Sequence, residues 1–153
     1  MNKSLFICVL AVLLAASTSV FAQTTYLLSD TQAQGQQGNT FQITCQTGAG
    51  STTNAAAILY DSGGANGQYS ANEDIIRDIA STNSGAITIS FSQFNLASGS
   101  MMTIKDGVSQ QVLVSNASGT SLNGRSFTSN RGSLQIIWQS GSTRGAGFAA
   151  YIW

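Results

Sequence analysis

The last twenty residues, 134–153, constrain the fold more than any other stretch. Leu134, Ile136 and Trp138 alternate with Gln135, Ile137 and Gln139, the period-two pattern of a strand with one buried face. Ser140 to Gly145 is rich in Gly and Ser and predicts a turn. Phe148 to Trp153 predicts a second strand, with the small Ala149 and Ala150 in its middle. Together they predict a hairpin so apolar that a second sheet must cover it.

The rest of the chain has the means to supply that sheet. Phe41, Ile43 and Cys45 alternate, and Tyr26-Leu27-Leu28 is a further apolar piece. Ala55 to Tyr60 predicts a short strand, followed by a dense turn signal from Asp61 to Gly67. Ile75 and Ile79 are spaced as on a turn of helix, but the stretch is short and lies between strands, so an extended segment fits at least as well. Ile87, Ile89 and Phe91 oppose Thr88, Ser90 and Ser92. Met101 to Ile104 predicts a strand closed by Lys105-Asp106-Gly107, an Asp-Gly turn. Gln111 to Ser115 predicts another, with Val112 and Val114 inward, and Phe127-Thr-Ser an edge piece. About eight short strands and no long helix predict an all-β fold, an antiparallel jelly-roll β-sandwich. No period recurs, which excludes a solenoid or propeller.

The start of the chain carries an address. Met1-Asn2-Lys3, an apolar run from Leu5 to Ala16 and the small residues before Gln23 predict a secretory signal peptide over 1–22. Residues 23–54 then form an N-terminal extension, either an edge strand or an assembly segment, and 55–153 the sandwich domain. Of the six basic residues only Lys3 lies in the signal, so five remain against six acidic ones. With no basic stripe, nucleic acid and anionic membrane are excluded as expected partners. The surface must be built from Ser, Thr, Asn, Gln and Gly, and so weakly charged a surface is compatible with self-association. Removing the signal also removes Cys8 and leaves Cys45 alone, without an internal disulfide. Cys45 reads as a small buried hydrophobe, with an intermolecular bridge as the alternative. Asn116-Ala-Ser118 is an N-glycosylation acceptor pattern, meaningful in a eukaryotic source.

Chemistry is harder to find. The chain has no histidine, which removes Ser-His-Asp and Cys-His mechanisms and the commonest zinc and copper ligand. No Ser sits in a G-x-S-x-G pattern. Lys105, the one lysine beyond the signal, alternates outward from Ile104 and reads as a solvated side chain rather than half of a Ser-Lys dyad. Glu73, Asp74 and Asp78, with Asp61 or Asp106, contain enough carboxylates for a glycosidase pair, but the aromatic residues fit core positions rather than a cleft. Glu73 with Asp74 offers oxygen ligands to Ca²⁺, although a solvated acidic turn explains the pair more simply. The expectation is no enzyme, with no catalytic, cofactor-binding or metal-binding residue.

The segments Tyr60 to Glu73, Ile87 to Phe94, Met102 to Gly107, Ser129 to Ser140 and Gly147 to Tyr151 stand in an order and spacing by which the chain, from Ile58 to Trp153, resembles the CUB domain family. Tyr60-Asp-Ser-Gly-Gly-Ala-Asn-Gly-Gln-Tyr-Ser-Ala-Asn-Glu73 is similar to the family's opening, and Ile87-Thr-Ile-Ser-Phe-Ser-Gln-Phe94 to its core strand. Met102 to Gly107 is similar to the strand that ends in Asp-Gly; Ser129 to Ser140 and Gly147 to Tyr151 are similar to the last two strands. The resemblance implies an extracellular jelly roll that contacts proteins or carbohydrates. Many CUB domains hold Ca²⁺ with three acids; the matching positions here carry Ala97, Ser100 and Gly141, while Tyr69 and Asp106 match positions nearby. The family's disulfide cysteines are also missing, with Ile75 in one such place. Packing by Ile87, Ile89, Phe91, Ile136, Trp138 and Phe148 must then hold the core. The expected function is that of a secreted, non-catalytic CUB-like module in extracellular assembly or protein–protein interaction. Its partner would be itself or another extracellular protein. The alternative is a monomeric domain that binds a glycan or a protein ligand.

Overall fold

Strands form where the sequence alternates, and the buried side of each strand turns toward one shared core. The structure, a computed structural model, describes residues 23–30, 36–37, 39–45 and 55–153. Among them run β1 (Thr24–Leu27), β2 (Gln36–Gln37), β3 (Thr40–Ile43), β4 (Ala57–Tyr60), β5 (Asp74–Ser81) and β6 (Ile87–Asn95). β7 (Met101–Asp106), β8 (Val112–Ala117), β9 (Ser126–Ser129), β10 (Ser133–Gln139) and β11 (Gly147–Ile152) complete the set. They build a β-sandwich of a five-stranded sheet, ordered β1-β4-β11-β6-β9, and a six-stranded sheet, ordered β2-β3-β5-β10-β7-β8. The expected signal peptide over 1–22 and the last residues of the N-terminal extension, 46–54, lie outside the described residues. No helix among the described residues is long and apolar enough to cross a membrane.

The predicted C-terminal hairpin is not one. β10 pairs with β5 and β7 in the six-stranded sheet, whereas β11 pairs with β4 and β6 in the five-stranded sheet. Ser140 to Ala146 therefore crosses between layers. Each strand covers the other's apolar side: Trp138 and Phe148 meet edge-on across the core, with ring centroids 5.7 Å apart. Two greasy faces close in sequence satisfy each other better by facing than by sharing one sheet.

Two further expectations change. The sheets are mostly antiparallel, but β1 runs parallel to β4 and β3 parallel to β5. Residues 24–27 and 40–43 are thus already paired within the chain, and Tyr26, Leu28, Phe41, Ile43 and Cys45 are buried in its core. Val112 does not point inward. The β7–β8 register shifts between Ile104 and Lys105, so Val114 opposes Ile104 while Val112 opposes the outward Lys105 and is 51% exposed. A register irregularity moves following side chains to the other face.

The core is aromatic. Phe91 packs edge-on against Phe94, Phe127 and Phe148, and Tyr69 against Trp138 at 5.1 Å. Ile87, Ile89, Phe91, Ile136, Trp138 and Phe148 are all buried, and truncating any one to Ala costs about 2–5 kcal/mol. Arg77 clamps the N-terminal strands onto this body. Its guanidinium lies over the Phe41 ring at 4.9 Å and donates from Nε and Nη2 to the Leu28 carbonyl at 3.2 and 3.0 Å. Burial lowers its basicity, against the opposing pull of Asp30 and Asp78.

Candidate functional site

The three positions that the family resemblance marks for calcium do come together at one end of the sandwich. A Cβ on Gly141 would lie 3.1 Å from the backbone of Gly99, beside Ser100. What meets there is not an anionic cage. Ser100, 1% exposed, accepts hydrogen bonds at Oγ from the Tyr69 hydroxyl (2.9 Å) and the Gly141 N–H (3.0 Å). Tyr69 Oη in turn accepts from the Ala97 N–H at 2.9 Å. Next to this hub, Ser140 Oγ accepts from the Glu73 N–H (2.7 Å) and donates to the Ser70 carbonyl (2.8 Å).

These groups do not fit Ca²⁺. A calcium site takes six to eight oxygen ligands and draws its affinity from carboxylates. Here N–H and O–H groups aim at the oxygens that would have to face a cation. Glu73, the nearest acid in sequence, accepts a hydrogen bond from Trp138 Nε1 at 2.9 Å. The hub is a neutral, internally satisfied plug that joins the Tyr69 segment, the Ala97–Ser100 turn and the Gly141 crossover.

The other candidate acids disperse. Asp78 lies on the outer face of the six-stranded sheet, where it accepts from Gln135 Nε2 at 2.9 Å, and Asp74 is exposed beside Gln139. Asp61 and Asp106 are buried in separate turns. Among the described residues no group of three or more His, Cys, Asp or Glu is placed to hold a metal ion. Lys105 points outward, as its alternation predicted. Cys45 is buried as a free thiol, with burial pushing its pKa up. Asn116 is exposed at the end of β8 and has φ of 50°.

Two surface features remain. An open groove of about 310 Å³ follows β8, lined by Ser115, Asn116, Ser118, Ser121, Leu122 and Arg125 among others, with no aromatic ring to stack on a sugar. The outer face of the six-stranded sheet is different. Register places Ile76, Ile137 and Thr103 in one row across β5, β10 and β7. Ile76 is 51% exposed and Ile137 half-buried. Asp74, Gln139 and Met101 form the row on one side; Asp78, Gln135 and Lys105 form the row on the other. Sequence reading placed Ile137 on the polar side of its strand but missed this stripe, because pairing between β5, β10 and β7 is not visible in any one segment.

No protein-family model matches the chain, and no curated protein matches it. Solved structures do. The CUB1-EGF-CUB2 domains of rat MASP-1 align with a TM-score of 0.52 at 16% identity, over 62% of this chain and 38% of that one. The corresponding human MASP-1/3 structure gives 0.52 at 18% identity, over 62% and 40%. The full extracellular region of zebrafish Gpr126/Adgrg6 gives 0.52 at 15% identity, over 86% of this chain and 14% of that one. The fold is CUB-like. This chain spans less than half the length of each of these structures, and at such identities the likeness is one of fold alone. Within the CUB-like fold, the meeting of Ala97, Ser100 and Gly141 follows from topology, and the neutral chemistry there is this chain's own.

Proposed function

We propose that this chain is a secreted, non-catalytic, CUB-like module that acts in extracellular assembly by binding a protein. Residues 1–22 direct secretion and are removed after Ala22. The contact surface is the outer face of the six-stranded sheet. One observation carries this reading: Ile76 stands 51% exposed beside Ile137, in an apolar row flanked by Asp, Gln, Met and Lys side chains. An apolar centre with a polar rim is the anatomy of a protein interface.

Photo-crosslinking tests it. A benzophenone side chain placed at position 76 or 137 of the mature chain, exposed to the extracellular fluid of the source, should trap a protein. The same probe at Ser90, on the opposite face, should not. A probe that traps no protein from either position on this face removes the reading. Specific hits on a glycan array, with no protein trapped, would put the carbohydrate-binding alternative in its place.

A further inference from the structure

The face just described has a symmetry that points to its occupant. Reading across the sheet from β3 to β8, one row runs Thr40, Asp78, Gln135, Lys105, Val112. β10 sits between β5 and β7, so Gln135 is the midpoint of that row. A two-fold axis along β10, lying in the plane of contact, turns each row over onto its own reverse. Asp78 then faces Lys105 of the second copy, and Lys105 faces the other Asp78. Val112, 51% exposed, meets the Thr40 methyl. Gln135 faces Gln135. In the neighbouring row Ile137 meets Ile137, and Ile76 meets Thr103. Acid meets base twice, apolar meets apolar or a methyl-bearing side chain, and no like charges oppose each other in these two rows.

The five-stranded sheet lacks this property. Its corresponding row reads Thr25, Ile58, Tyr151, Ser90, Ser126. Turned on itself, it sets Ile58 against Ser90, whose hydroxyl already accepts from Ser126 at 2.8 Å, and it offers no charge pair.

We propose that two copies of this chain associate face to face through their six-stranded sheets, across a two-fold axis along β10, with reciprocal Asp78–Lys105 ion pairs and an Ile137–Ile137 contact at the centre. This rests on the reading of that face as a protein-binding surface and names its partner. An isologous contact is the commonest way a protein pairs with itself. Stacked sheets lie about 10 Å apart, and because each sheet twists the central strands β5, β10 and β7 make the contact and the edges diverge. Gln135 Nε2, donating to Asp78 at 2.9 Å, holds that carboxylate on the outer face and aligned with its row.

Sedimentation equilibrium of the mature chain tests the pairing. The wild type should dimerise, and more weakly as salt rises, because rim ion pairs are screened. Asp78→Lys and Lys105→Asp should each weaken the dimer at least about tenfold, because each change acts at two symmetry-related contacts. The double variant should return to within about threefold of the wild type. Ile137→Arg should leave monomer only. Thermal melts of every variant check that the sheet still folds. Ile137→Cys treated with a short bismaleimide should give a covalent dimer, and Ser90→Cys should not; Cys45 is buried and adds little background.

A wild type that stays monomeric at about 1 mM, or folded charge-reversal variants that dimerise unchanged, or a double variant without rescue would each overturn the proposal. The wider reading separates from it. If the wild type is monomeric yet the probe at position 137 still traps a different protein, self-pairing fails and protein binding stands. If neither occurs, both fail.

Discussion

Asp61 and Asp106 perform the same task at two turns, and their acidities move in opposite directions. Both are buried, at 0% and 7% exposure. Asp61 opens its turn by accepting the Gly63 N–H at Oδ1 (2.8 Å), and its Oδ2 accepts the Phe148 N–H (2.6 Å) from β11. Asp106 accepts the Val108 and Ser109 N–H groups at Oδ1 (3.0 and 2.7 Å), and its Oδ2 accepts the Ser129 hydroxyl (2.7 Å). At Asp61 burial outweighs the donors and pushes the pKa up. At Asp106 the donors, led by the Ser109 N–H, outweigh burial and hold it down at about 2. The sign is set by the donors each carboxylate receives against the solvent it loses, and at both turns one donor arrives from distant chain.

The largest break in this comparison should come from Gly147→Ala. Gly147 has φ of 83°, and a Cβ there would lie 1.8 Å from Asp61 Oδ2 and 2.5 Å from its Cγ. The methyl group both strains the backbone and ejects the carboxylate from its β11 donor. The expected cost is about 3–5 kcal/mol, read from urea unfolding. Combined with Asp61→Gly it should cost less than the sum of the two single changes, because the clash is then gone. Strict additivity would show that the contact between the two residues is not what makes position 147 a glycine.

Next in size are the amide replacements, which separate the two aspartates directly. Asp61→Asn removes a charge that burial already disfavours, and one amide oxygen remains to accept. Asp106→Asn replaces an ionised acceptor of three donors with a group that can satisfy fewer of them. At pH 7 the melting temperature should fall further for Asp106→Asn than for Asp61→Asn. The reverse order would mean that the Phe148 N–H bond matters more than the burial opposing it.

The pH profiles should then diverge in sign. Asp106 has a folded pKa of about 2, below an unfolded value near ~3.9. Its stabilisation is present above about pH 4 and is lost as pH falls toward 2. Asp61 has a folded pKa raised above the ordinary 3.8. Its folded form takes up a proton before the unfolded form does, so it favours folding as pH falls and opposes folding as pH rises through the raised value. Subtracting each Asn variant's stability from that of the wild type between pH 2 and 6 should therefore give curves of opposite slope. Parallel curves would refute the assignment of opposite shifts.

How much of this was written in the chain locally is uneven. The alternation around Ile136, Trp138, Ile89 and Phe91 announced buried faces, and Asp106-Gly107 announced a turn. The missing acids at Ala97, Ser100 and Gly141 were legible only through the family resemblance. What no segment shows is its neighbour. β10 and β11 looked like a hairpin because nothing local tells a strand whether the next one joins its own sheet or faces it. Parallel pairing of β1 with β4 and of β3 with β5 links stretches about thirty residues or more apart. Nothing in the segment around Arg77 shows that Phe41 and the Leu28 carbonyl will cover it. Asp106 meets Ser129, and Asp61 meets Phe148, only once the sandwich closes.

The smallest predicted effect concerns the hub that uses no carboxylate at all. Tyr69→Phe removes the hydroxyl that accepts from the Ala97 N–H and donates to Ser100 Oγ. The ring still packs on Trp138, so the cost should be about 1–2 kcal/mol, that of a buried hydrogen-bonded group left without its partner. Because Ser100, Ala97 and Gly141 carry no titratable side chain, that cost should be the same at pH 4 and pH 7, unlike the costs at Asp61 and Asp106. Millimolar Ca²⁺ should leave the melting temperature of the wild type unchanged, since ligand binding to the folded state would raise it. A calcium-dependent rise that Tyr69→Phe reduces would mean that oxygens at this end can reorganise around a cation, and that the neutral plug is only one of two states of the hub.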